Sequence, residues 1–183
     1  TEDAKSGNID TYAIRLRDII EGTKKATGAT QVDIIAHSMG GLVVRRYLQI
    51  FGNESIHTFI MIGTPNNGID DKTYILCKLY GETNECEDMK QGSVFLKALI
   101  TDLNLANNTV IIGGSGCSMS NGLDGDGVVT LQSVKIPGVH LITINGTCEG
   151  TNFLHNKLLS EPAYSNEIIH ATINTLREKN ETK

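Results

Sequence analysis

Ser38 stands in the stretch Ala36-His37-Ser38-Met39-Gly40-Gly41, between a short apolar run and a segment with helical periodicity. Val32, Ile34, Ile35 and Ala36 make the run, which reads as a strand buried on both faces of a parallel sheet. Leu42, Val43, Arg46, Tyr47 and Ile50 follow near 3.6-residue spacing. A serine in a tight turn between strand and helix projects its hydroxyl above the sheet edge, where an attacking nucleophile has to be. Ala36 and Gly40, two residues to either side, leave room for strand and helix to approach each other. The backbone N–H of Met39 falls at the helix N-terminus, where the dipole favours a developing oxyanion. The plainer reading of the same residues is a Ser-Gly-Gly turn that does no chemistry.

An activated serine needs a base, and the base needs an acid. In open α/β sheets such groups gather beyond the C-terminal ends of strands. Two loops that follow later apolar runs qualify. Residues 123–129 (LDGDGVV) offer Asp124 and Asp126, and residues 152–159 (NFLHNKLL) offer His155. The histidine takes the hydroxyl proton, while an aspartate fixes the imidazole tautomer and steadies the imidazolium. Both aspartates fit at this level. Asp-Gly-Asp-Gly also hints at a Ca²⁺ loop, but it lacks the third ligand and the distal Glu. No metal and no cofactor is expected.

The elements that must position these residues alternate in type. Residues 9–25 form an amphipathic helix with Tyr12, Leu16, Ile19 and Ile20 on one face. Further strands are expected at 57–63, 109–114 and 139–145, and a closing amphipathic helix at 165–179. The strand at 57–63 runs into a rigid turn, Thr64-Pro65-Asn66-Asn67-Gly68. Strand–helix alternation predicts an α/β fold with a mainly parallel sheet and helices on both faces. Residues 69–106 contain no such strand. One helix is expected over 88–105, with Val94, Leu96, Leu99 and Ile100 as its apolar positions, so the segment is either a lid or cap insertion or a set of crossover helices.

At 183 residues the chain reads as a single domain. A net charge of −5 without basic clusters argues against nucleic acid as a partner. No apolar run approaches the ~20 residues that span a bilayer. A signal peptide is not visible, so any targeting segment is expected to have been removed or to lie outside this chain. Four cysteines show no zinc-ligand spacing, and proximity favours the pairs Cys77–Cys86 and Cys117–Cys148 over the other pairings. Disulfides place the protein in an extracellular or otherwise extracytoplasmic compartment; the alternative is four buried thiols in the cytosol.

AHSMGGLVVRRYL, GTPNNG, DGDGVV and FLHNKLL, taken in this order, resemble the lipase/esterase branch of the α/β-hydrolases over about residues 31–160. The Ala-x-Ser-x-Gly form is similar to that of Bacillus secreted lipases. The resemblance implies hydrolysis of carboxylic acyl esters through an acyl-enzyme, with Ser38, Asp126 and His155 at the matching positions and Asp124 as the alternate acid. Asp126 is favoured because the family's acid precedes a small residue and Val. The resemblance further implies that His37 is a structural neighbour pointing away from Ser38, and that Arg45 serves helix packing or a salt bridge. It also demands a second oxyanion donor beside Met39, from a loop after an earlier strand. Only one helix precedes Ser38, which leads to the expectation of a partial hydrolase domain. An N-terminal segment or partner chain would complete its sheet and oxyanion hole. An acyltransferase or thioesterase using the same residues, and an inactive binding module, are the competing functions.

Overall fold

The computed structural model of the chain describes residues 8–80, 83–101 and 104–178. In chain order the elements are α1 (Ile9–Thr27), β1 (Val32–His37), α2 (Met39–Phe51), β2 (Ile56–Ile62), α3 (Asp71–Tyr80), α4 (Thr83–Met89) and α5 (Val94–Thr101). They continue with β3 (Asn108–Ser115), β4 (Cys117–Ser118), β5 (Asp124–Gly125), α6 (Leu131–Val134), β6 (His140–Asn145), α7 (Leu154–Ser160) and α8 (Pro162–Glu178). Four strands make a parallel sheet in the order β1-β2-β3-β6, and β4 pairs antiparallel with β5 apart from it. This is the expected α/β architecture. Residue 179, the expected end of the closing helix, lies outside the described residues.

Strand alternation divides the core in two. From β2, Phe59 and Met61 enter one cluster with Ala13 and Ile20 of α1 and with Val44 and Leu48 of α2. Ile60 and Ile62 enter the other, with Ile112, Ile144, Leu154 and Leu158, and Ile168 of α8. Helices therefore cover both faces. The loops that leave the C-terminal ends of β1, β3 and β6 carry the candidate chemistry.

β1 differs from its reading as a doubly buried strand. Val32, Ile34 and Ala36 pack on the α1/α2 cluster, but Ile35 on the opposite face is 55% exposed. The reason is position: β1 is an edge strand, and the helices of that face sit over β2, β3 and β6. The α2 face also differs. Leu42, Val44, Arg45, Tyr47 and Leu48 are buried, whereas Val43 is half-buried and Ile50 exposed. In α1, Ile9, Ala13 and Ile20 are buried and the expected core residue Ile19 is exposed.

The segment 69–106 has no strand among its described residues, and it is not one long helix at 88–105. The turn Lys90–Gly92 breaks it, and the Ser93 hydroxyl accepts from Leu96 N–H (3.1 Å), which starts α5 afresh. Resetting the phase leaves Leu96 and Leu99 buried and turns Val94 and Ile100 outward. Both expected disulfides are present: Cys77–Cys86 ties α3 to α4, and Cys117–Cys148 joins the chain after β3 to the chain after β6.

Candidate active site

Ser38 follows β1 directly and caps α2. Its φ of 54° and ψ of −130° make it the one non-glycine residue with positive φ among the described residues. Such a backbone is strained and persists because its surroundings fix it. Here Ser38 N–H donates to Ile62 O (2.8 Å), and Ser38 O accepts from Gly41 N–H (3.1 Å). The close approach expected at Gly40 lies one residue later. A Cβ on Gly40 would meet Ala36 at an ordinary 3.7 Å, but one on Gly41 would lie 2.0 Å from the Thr64 hydroxyl oxygen. Helix α2 thus rests on the turn after β2, and Gly41 is what allows it. Met39 N–H, in the unpaired first turn of α2, makes no hydrogen bond among the described residues.

Asp126 and His155 come together although they arrive on separate segments, the loop after β5 and the start of α7. Asp126 Oδ2 accepts from His155 Nδ1–H at 2.7 Å, and both side chains are buried. Asp126 Oδ1 accepts from the N–H groups of Val128 (2.9 Å) and Val129 (2.7 Å), and Asp126 O accepts from His155 N–H (2.9 Å). With Nδ1 as donor, the Nε2 of neutral His155 is an acceptor. His155 is the second residue of α7 rather than a loop residue. Asp124 sits elsewhere. Its exposed carboxylate accepts from the Ser115 hydroxyl and Gly116 N–H, which hold its pKa below the ordinary value and pin the β4–β5 turn. No hydrogen bond joins the Ser38 hydroxyl to His155 among the described residues.

Chain comparison adds to this geometry. A sequence model of the palmitoyl protein thioesterase family matches residues 1–112, more than half of the chain. The chain belongs to the palmitoyl protein thioesterase family. The match takes in Ser38 and ends before Asp126 and His155. No curated protein sequence matches significantly. Among solved structures, the mature lipase BlEst2 of Bacillus licheniformis superposes with a TM-score of 0.63 at 14% identity, over 87% of this chain and 74% of the lipase. Phospholipase PlaB of Legionella pneumophila, solved with thio-NAD, gives 0.66 at 14% identity over 96% of this chain and 53% of the phospholipase. A bromoperoxidase of Bacillus anthracis gives 0.61 at 15%, over 93% and 74%. The chain therefore spans about half of the phospholipase and about three quarters of the other two. The likeness establishes the α/β-hydrolase fold.

In this palmitoyl protein thioesterase relative, Ser38 lines an apolar cavity of about 230 Å³ with Pro65, Ile69, Leu76, Val128 and Phe153. A neighbouring cavity of about 210 Å³ shares Thr73, Leu76, Gly127 and Phe153 with it and adds Asp70, Lys72, Ser118 and Ser120. Arg45 forms no ion pair among the described residues. It is buried and donates to Asn66 Oδ1 (3.0 Å), Asn66 O and Leu99 O, bracing the turn after β2 against α5. Burial lowers its pKa to about 10. Two further residues adjoin the site, of which the sequence reading named only His37, as a structural neighbour. Gly63, next after β2, admits no side chain, since its Cβ would lie 3.1 Å from both Asp126 Oδ2 and His155 Nδ1. The sole sequence signal was a glycine ending a buried strand. The other is His37, whose ring lies against that of His155.

Proposed function

We propose that the chain is a serine hydrolase of acyl esters and thioesters, with Ser38 as nucleophile, His155 as general base and acid, and Asp126 as the group that orients His155. The observation that carries the reading is the buried Asp126–His155 pair at 2.7 Å, on a loop and a helix start that reach the same sheet end as the strained Ser38. His155 Nε2 takes the Ser38 proton as the hydroxyl attacks the acyl carbon. The imidazolium then protonates the leaving oxygen or sulfur, and a water deacylates the enzyme by the same route. The Met39 N–H is one donor to the oxyanion. The apolar cavity beside Ser38 takes the acyl chain, and α3 and α4, which give Leu76 and Met89 to its wall, form the cap over it.

Thioester hydrolysis stands beside ester hydrolysis because the family match covers the serine segment. A second oxyanion donor comes from chain preceding the described residues or from a partner that lies along β1; without it the rate falls about 10²–10³-fold. The two disulfides support an extracytoplasmic location.

Hydrolysis of p-nitrophenyl butyrate and of its thioester counterpart, by this chain and by Ser38→Ala, tests the reading. Turnover that Ser38→Ala abolishes is expected, with a gain when a preceding segment is restored. Silence toward both substrates, in the completed protein as well, would overturn it. Transfer of butyryl to an added alcohol in preference to water would favour an acyltransferase. Binding without turnover would favour a module that keeps only the fold.

A further inference from the structure

We propose that His37 is a positioning residue that sets the distance between the Ser38 hydroxyl and the imidazole of His155. The inference rests on the reading of Ser38 as nucleophile and His155 as base.

Asp126 alone cannot set that distance. Its carboxylate bonds run to Val128, Val129 and His155, so they lock His155 to the loop 126–129 and to nothing on β1. The loop, Asp126 and α7 could shift as one body relative to Ser38 without breaking any of them. His37 supplies the missing tie. Its Nε2 lies 3.0 Å from His155 O, the one hydrogen bond between β1 and α7 among the described residues. A carbonyl oxygen only accepts, so Nε2–H donates and the His37 tautomer is fixed. The two rings face each other at 4.5 Å between centroids and 42° between planes. His37 adjoins Ser38 in the chain. The peptide that carries the nucleophile therefore also holds the main chain and ring of the base. Strand alternation explains why His37 can do this: it points to the β1 face opposite Val32, Ile34 and Ala36, toward α7.

Neutrality is part of the role. A cation at this spacing would oppose the imidazolium that His155 must become. Burial, and then the proximity of His155, lower the His37 pKa to about 4, against the opposing pull of the His155 carbonyl and Asp126. Those are the groups that face it.

Two variants separate the parts of the claim. His37→Gln places an amide donor near the Nε2 position, whereas His37→Phe keeps a ring and loses the donor. The first readout is the rate at which a fluorophosphonate ester labels Ser38, followed by mass; kcat and KM for p-nitrophenyl butyrate accompany it. His37→Phe should slow labelling and lower kcat by ~10-fold or more, with KM little changed, since about 1 Å of misplacement costs up to ~10²-fold. His37→Gln should recover most of the loss, and urea midpoints at pH 7.5 should not track the rates. Labelling of His37→Phe at the wild-type rate, or a His37→Gln loss as large as that of His37→Phe, overturns the proposal. Should wild-type Ser38 resist labelling altogether, the nucleophile reading fails by itself. The ¹³C relaxation of the His155 ring then decides on His37: greater ring mobility in His37→Phe, restored by Gln, supports the tie, and unchanged mobility removes it. If His37→Phe does not fold, His37→Gln and the same relaxation measurement carry the test.

Discussion

His37 binds its proton more weakly in the folded chain than in the unfolded one, because burial and the adjacent His155 depress its pKa from the ordinary 6.5 to about 4. A histidine so depressed loses stability to acid: as pH falls below about 6.5 the unfolded chain takes up the proton first, and the loss is complete once pH passes about 4. His37→Phe carries no such proton. Its urea midpoint relative to wild type should therefore improve as pH falls from 6.5 to 4, and a difference independent of pH would refute this assignment. Residue type and placement after apolar runs singled out Ser38 and His155 in the sequence but left Asp124 and Asp126 equally open; the resemblance favoured Asp126, and it is Asp126 that meets His155 in the fold. The contact of His37 with His155 was not legible, since it spans 118 positions and depends on which way an edge strand faces. Gly41 was missed in favour of Gly40 for a related reason. Spacing from Ser38 shows which glycine faces the strand, but the tight contact is with Thr64, a residue of another turn.

Among the elements, the Cys117–Cys148 disulfide ties the fold to the Asp126–His155 pair, whereas Cys77–Cys86 reaches only the wall of the cavity beside Ser38. Cys148 Sγ lies 3.3 Å from Leu154 N and 3.5 Å from Asp126 O, between the start of α7 and the loop that carries Asp126. It closes a span of 31 residues, against 9 for Cys77–Cys86. Chain entropy assigns the longer loop about 4 kcal/mol and the shorter about 2.5 kcal/mol. The double variant Cys117→Ser/Cys148→Ser should lower the urea midpoint more than Cys77→Ser/Cys86→Ser and also slow Ser38 labelling. Equal effects on both counts would show that the disulfide near Asp126 and His155 is only a staple. The four strands of the parallel sheet and the helices α1, α2 and α8 followed from periodicity, but burial within elements did not. Val94 satisfies the period of a helix over 88–105 and is exposed because a serine cap restarts that helix at a new phase. Ile35 satisfies a buried run and is exposed because nothing in its own segment says which strands lie at the edge.

At the scale of the whole molecule, the sheet is four strands wide, and β1, which carries Ser38 at its end, is one of its two borders. The apolar face beside that border is thinly covered, with Ile35 half open to solvent. In β1 the N–H groups of Val32 and Ser38 turn inward to β2, and in a strand the N–H direction alternates with each residue. Those of Asp33, Ile35 and His37 therefore point outward from the border. Deuterium uptake at neutral pH will then beat with a period of two along this strand, fast at 33, 35 and 37 and slow at 34 and 36. Uniformly slow uptake in the isolated chain would mean that this border is occupied. A segment or partner strand that pairs with β1 should silence the fast set alone, so the clock of three backbone protons reports whether the sheet has been extended next to the serine.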